Sequence, residues 1–174
     1  MLLEEAISLI NNANIDQGQP ATWADLGCGS GMFTRALSST LPANSTIIAV
    51  DNMRPDKQIV SVAENVTIHF QQGNFEKDNL QLPLLNGILM ANSLHYIADK
   101  NRLLHHLKTY LQPEASFIIV EYDTTQRNHW VPYPINKIQL QQLFREIGFI
   151  NCSMLGQRPS LYQQGDLYAC QFSR

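Results

Sequence analysis

The chain has 174 residues, of which 44% are hydrophobic and 16% charged, and a formal net charge of −3. That length allows one domain, residues 1–174, with a substantial core. The missing long basic run argues against nucleic acid as a partner. Cys28, Cys152 and Cys170 are scattered and odd in number, so they read as reduced thiols in a cytoplasmic protein, not as a disulfide framework or a metal site. Met1–Glu5 has neither a basic region nor a long apolar run, so no signal peptide or membrane span is expected.

Leu2, Leu3, Ala6, Ile7, Leu9 and Ile10 recur with helical spacing and predict a short amphipathic helix that ends before Gly18 and Pro20. Ala21–Leu26 reads as a first buried strand. It runs into Gly27-Cys28-Gly29-Ser30-Gly31, and Met32, Phe33, Ala36 and Leu37 then mark a helix stopped by Pro42. Glycines on alternate positions let backbone approach a ligand and reach positive φ, and a following helix would aim free N–H groups at it. A dinucleotide fold asks for G-x-G-x-x-G, and here the third glycine comes one residue early. Asp25, two residues before the first glycine, would also repel a pyrophosphate, whereas a ligand carrying a cationic amine and a sulfonium would be welcome.

Ser45–Val50 is an apolar run of the kind buried on both faces of a parallel sheet. It ends in Asp51, whose carboxylate can accept two ribose hydroxyls at once. Met53–Asn65 is poorly patterned and cut by Pro55, so a short or irregular helix is expected. Val66–Phe70 reads as the third strand and Leu84–Asn92 as the fourth, central one. Asp99 is a good N-cap for a helix marked by Leu103, Leu104, Leu107, Tyr110 and Leu111 and closed by Pro113. His105 and His106 lie off its stripe and are expected to be solvated. Ala115–Tyr122 is the fifth strand. Asp123–Pro134 holds Arg127, His129, Trp130, Tyr133 and two prolines without any period, which suits a substrate wall or lid. A last helix runs from Ile135 to Ile147, and Phe149–Leu155 and Asp166–Phe172 read as two strands joined by a Pro/Gly loop.

Asp25-Leu26-Gly27-Cys28-Gly29-Ser30-Gly31 resembles the first motif of class I S-adenosylmethionine-dependent methyltransferases, and Asn92-Ser93-Leu94-His95-Tyr96 is similar to their segment after the fourth strand. The likeness covers nearly the whole chain. It implies a Rossmann-like three-layer α/β/α sandwich whose seven-stranded, mostly parallel sheet ends in an antiparallel C-terminal hairpin strand. It also implies that Asp25, Gly27, Cys28, Gly29, Gly31, Asp51, Asn52, Asn74, Phe75 and Asn92 hold S-adenosylmethionine, with S-adenosylhomocysteine as product. Asn74 stands where family members often carry an acid that takes the adenine amine; its amide oxygen could accept that bond. Asp25 would position the amino group of the methionine moiety, directly or through water. His95 and His129 are candidate bases, and Tyr96, Tyr122 and Trp130 candidate walls of an acceptor pocket. No Asn-Pro-Pro-Tyr-type tetrapeptide follows the fourth strand, so a small-molecule acceptor is favoured over nucleic acid; a homodimer stays open. Two other readings stand beside this one: a methyltransferase-like module that binds cofactor or protein without turnover, and an NAD-dependent oxidoreductase.

Overall fold

Side chains alternate across every strand of the sheet, and in the central strands of this chain both alternating sets are largely apolar. In β5 (Leu111–Tyr122), Phe117 and Ile119 pack into one core while Ile118 and Val120 pack into the other. A sheet buried on both faces needs helices on both. The computed structural model describes residues 1–160 and 165–174 and supplies them. On one face α3 (Lys100–Leu107) and α4 (Lys137–Glu146) contribute Leu103, Leu104, Leu107, Leu140 and Phe144. On the other, α1 (Leu3–Ile10) and α2 (Met32–Ser38) contribute Ala6, Leu9, Ile10, Phe33 and Leu37.

Between them lie β1 (Thr22–Leu26), β2 (Thr46–Asp51), β3 (Thr67–Gln72), β4 (Leu85–Ala91), β5, β6 (Asn151–Arg158) and β7 (Leu167–Ser173). Their order is β3-β2-β1-β4-β5-β7-β6. The first five strands are parallel, β7 runs antiparallel to β5, and β6 pairs antiparallel with β7. The expected α/β/α sandwich with seven strands and a C-terminal hairpin is therefore the observed fold. Strand order reverses between β1 and β4, and the carboxyl ends of those strands are where such sheets bind ligands.

Two expected elements differ. Residues 52–66 form no helix. Pro55 lacks a donor, and polar side chains take the backbone groups instead: Val62 N–H donates to Ser38 Oγ at 3.1 Å and Ala63 N–H to Ser61 Oγ at 3.1 Å. Ile59 and Val66 anchor it, each 6% exposed, Ile59 against the space that Gly31 leaves free. The helix expected to close at Pro113 ends at Leu107, and a 3-10 turn carries the chain to Tyr110. Pro113 lies inside β5, where the register slips from Leu85↔Leu111 to Gly87↔Ser116. A proline without an amide is tolerated at such a bulge. The Pro/Gly loop before β7 lies partly outside the described residues.

Two close approaches fix the layers. Gly87 sits opposite Trp23 in the β1–β4 ladder, and a Cβ there would stand 2.5 Å from the indole ring. Gly156 lets β6 pass directly under α1, where a Cβ would come 2.8 Å from the Leu9 carbonyl oxygen. Around that crossing Asn12 donates to Leu155 O at 3.0 Å, and Asn14 and Gln171 exchange hydrogen bonds of 2.7 and 2.9 Å. Arg158 reaches Glu5 at 2.8 Å.

Candidate functional site

The carboxyl ends of β1, β2, β3 and β4 open onto one cleft of about 640 Å³. The loop after β1 forms its floor. Gly27 takes φ +81° and Gly29 φ +52°, and both line the cleft with Cys28 between them. A side chain at Gly27 would strike Ser93, its Cβ 2.5 Å from the serine Cβ. Ser93 itself donates to Leu26 O at 2.6 Å, binding the loop after β4 to the end of β1. At Gly29 an added Cβ meets no protein atom within 4 Å, so it would stand in the open cleft.

Asp51 closes β2. Its Oδ2 accepts the Gly29 amide at 2.8 Å and its Oδ1 the Met53 amide at 3.0 Å. Each carboxylate oxygen keeps a further lone pair for a ligand. Asn52, Asn74, Phe75, Asn92 and Tyr96 complete the expected lining. Asn92 holds φ +53°, and its Oδ1 is buried without a hydrogen-bond partner. An acceptor left in that state is costly unless a ligand donor reaches it. Ser30, Met53, Glu76 and Ile97 also line the cleft and were not foreseen; they follow directly on the motifs that were.

Asn74 departs from expectation. Its Oδ1 accepts the amides of Glu76 at 3.0 Å and Lys77 at 3.2 Å, capping its own turn as Asx residues do. What it offers a ligand is its amide N–H₂, a donor. Asp25 and Gly31 are likewise not on the cleft surface. Asp25 is 1% exposed under the loop and accepts the Thr34 hydroxyl at 2.6 Å, while its Oδ1 is unpartnered. Burial pushes its carboxyl up to about 7, helped by the charge of Asp51 and opposed by Thr34. Gly31 caps α2 at φ +84°, where a Cβ would collide with Ile59. Burial also drives the Cys28 thiol upward, which keeps it protonated and unreactive.

Beside Tyr96, His95 is 3% exposed in the 3-10 turn after β4, with its ring 4.5 Å from that of Tyr96 and 6.5 Å from that of Tyr122; of the three, Tyr96 lines the cleft and His95 and Tyr122 do not. His95 Nδ1 lies 2.7 Å from Glu121 Oε2. Glu121 is 1% exposed and is not among the residues singled out from the sequence, where it falls within the expected fifth strand. The segment 123–134 stays on this side of the sheet, since the Tyr133 amide donates to His95 O at 2.9 Å. Its largest side chains do not wall the cleft. Asn128 Oδ1 accepts the amides of Trp130 at 2.7 Å and Val131 at 2.9 Å; that turn buries Val131 at 3% and leaves Trp130 72% exposed. His129 is exposed beside it, ring against ring at 5.4 Å, and so is no base for the cleft.

A family model described as "Methyltransferase domain" matches residues 3–169. Among curated proteins, the malonyl-[acyl-carrier protein] O-methyltransferase of Halalkalibacterium halodurans is 34% identical over 105 residues, covering 56% of this chain and 37% of that protein. The chain thus matches under two-fifths of that relative's length. Solved structures share the fold. A SAM-dependent methyltransferase from Methanosarcina mazei superposes with a TM-score of 0.68 at 12% identity, over 92% of this chain and 94% of that one. Burkholderia thailandensis 1,6-didemethyltoxoflavin-N1-methyltransferase, solved with 1,6-didemethyltoxoflavin and S-adenosylhomocysteine, gives 0.68 at 17% identity, over 99% and 77%. Human N-acetylserotonin methyltransferase in complex with SAM gives 0.70 at 19%, over 98% and 51%.

Proposed function

Since the chain belongs to the methyltransferase-domain family, we propose that it transfers a methyl group from S-adenosylmethionine to a small-molecule acceptor. The observation that carries the reading is the set of hydrogen-bond acceptors in the cleft. Each Asp51 carboxylate oxygen, beyond the one backbone amide it accepts, keeps a lone pair for a vicinal diol, and the Asn92 Oδ1 is a buried acceptor in want of a donor such as an ammonium group. Phe75 and Ile97 give an apolar flank for a purine ring, and Gly29 leaves the floor bare. These residues fit S-adenosylmethionine, which brings a methyl group already activated on a sulfonium. What remains for the protein is to align the acceptor and exclude water.

Asp51 would hold the ribose, Asn74 would donate to a ring nitrogen, and Asn92 would take the amino group. Asp25, beneath the floor, would act only through the shape of the loop. The acceptor side is lightly covered: Tyr96 is 53% and Trp130 72% exposed, which suits a small planar acceptor and leaves room for a second copy in a homodimer. A cytoplasmic place agrees with three unbridged thiols; no helix among the described residues is long and apolar enough to cross a membrane.

Calorimetric titration of S-adenosylhomocysteine into ligand-free protein tests the reading. Micromolar binding supports it. No heat and no thermal shift would remove it, and NADH fluorescence in the same preparation would then address the oxidoreductase alternative.

A further inference from the structure

Cys152, Met154 and Cys170 stand on the two strands of the C-terminal hairpin, at the edge of the sheet away from β3. None of them lines the cleft. In sequence the two cysteines are scattered; the antiparallel register joins them. Met154 faces Cys170 across the ladder, and Cys152 lies two positions before Met154 on its own strand, so all three side chains leave one face. It is the face that α4 covers, with Cys170 inside that core and Cys152 packed on its rim. Met154 Sδ comes 4.0 Å from Cys170 Sγ, and the thiols of Cys152 and Cys170 share a hydrogen bond. From α4, Gln141 Nε2 donates to Cys152 Sγ at 3.5 Å. Packing alone accounts for a buried cysteine. It does not account for an N–H aimed at a second thiol, or for a thioether 48% exposed beside both. Three sulfurs at the corners of a triangle around one ion, with bonds of about 2.3 Å, stand about 4.0 Å apart, the spacing seen between Met154 and Cys170.

We propose that Cys152, Met154 and Cys170 form a site for a soft monovalent metal ion, Cu(I), bound by two thiolates and one thioether. The inference is independent of the methyltransferase reading. The ligand set decides the metal. Among the described residues no group of three His, Cys, Asp or Glu could hold an ion, so zinc lacks the four nitrogen, sulfur or carboxylate ligands of a structural site. Thiolate and thioether sulfur selects Cu(I) instead. As the ion enters from the open side at Met154, each thiol gives its proton to solvent and its sulfur closes a bond to the metal. One Cu(I) thus displaces two protons, and no electron moves. The Gln141 N–H is the outer partner that orients the Cys152 thiolate and steadies its charge. The bound ion ties β6 to β7.

The full chain, reduced and kept free of oxygen, is titrated with Cu(I) supplied as its bicinchoninate complex. One ion per chain should leave the chelator, and X-ray absorption should show sulfur alone around it, at about 2.3 Å. Gln141→Leu should weaken binding about tenfold, as loss of an outer partner does, and Cys152→Ser by more than about 100-fold. Met154→Leu should fall between them, and Cys28→Ser should bind as the wild type does. Cys152, Met154 and Gln141 are only partly buried, and thermal melts without metal report that their variants are folded. Copper left with the chelator, nitrogen or oxygen in its shell, or full binding by Cys152→Ser or Met154→Leu would overturn the assignment. So would loss of binding in Cys28→Ser, or recovery of a Cys152–Cys170 disulfide in place of bound metal.

Discussion

Asp51 Oδ2 accepts the amide of Gly29 at 2.8 Å, across 22 residues of sequence. One carboxylate therefore ties the floor of the cleft to its side wall, and both are formed before any ligand arrives. Replacing Asp51 by Ala removes the acceptor for a diol and frees the loop together. We expect S-adenosylhomocysteine to bind roughly 10- to 100-fold more weakly, about 1–3 kcal/mol, with Asp51→Asn in between. Titration calorimetry reads the difference. Unchanged affinity in Asp51→Ala would place the ribose elsewhere.

The glycines of the loop should separate by what lies over them. Gly27→Ala forces a methyl group against Ser93 at a positive φ, and strain plus overpacking should cost roughly 2 kcal/mol or more, ~5 °C in Tm. Gly29→Ala meets no protein atom. It should melt within a few degrees of wild type yet bind S-adenosylhomocysteine at least ~10-fold more weakly, because its methyl group occupies ligand space. Thermal melts with and without ligand distinguish the two.

Asp25 makes stability depend on pH. Unfolded, its carboxyl titrates near 3.8; folded, burial raises it to about 7. Between those values the native protein holds a proton that the unfolded chain has released, so stability falls as pH rises through that window and levels off above it. Asp25→Asn, neutral throughout, should lose this component. The Tm difference between variant and wild type should grow by roughly 5–10 °C from pH 4.5 to pH 8. A constant difference would mean that Asp25 is ionised in the fold.

Trp23 and Gly87 offer a test of packing remote from the cleft. Gly87→Ala should cost about 1–3 kcal/mol by overpacking against the indole. Trp23→Phe, with the smaller ring, should recover part of that loss, so the double-mutant cycle should show a coupling above ~0.5 kcal/mol. Urea denaturation supplies all four values.

The floor and its acid were legible in sequence because each sits where an apolar run ends: Gly27 after β1, Asp51 at the end of β2, Asn92 after β4. The layers were legible for the same reason, since continuous apolar strands demand cover on both faces. Glu121 was not, because its partner is set by the β4–β5 register, Ala91 against Val120, and register is not written in either strand alone. Asn74 and Trp130 went astray through one local device. An Asn oxygen captured its neighbours' amides at 74 and again at 128, withdrawing an acceptor in the first case and turning a ring to solvent in the second. At 53–65, hydroxyls of Ser38 and Ser61 took amides that a helix would have used.

The crossing of α1 over β6 orders events while the chain is being made. Leu9, Ile10 and the Trp23 face of β1 find their cover partly in Leu155, Leu167 and Ala169, and the Asn14–Gln171 exchange joins residues 157 apart. A nascent chain on the ribosome can assemble β1 to β5 and the glycine floor and pack α1 against α2, but the seat of α1 is complete only when the last two strands have emerged. Until then that apolar face stays open to chaperones and to other nascent chains, and the hairpin of β6 and β7 is the piece whose arrival ends the exposure.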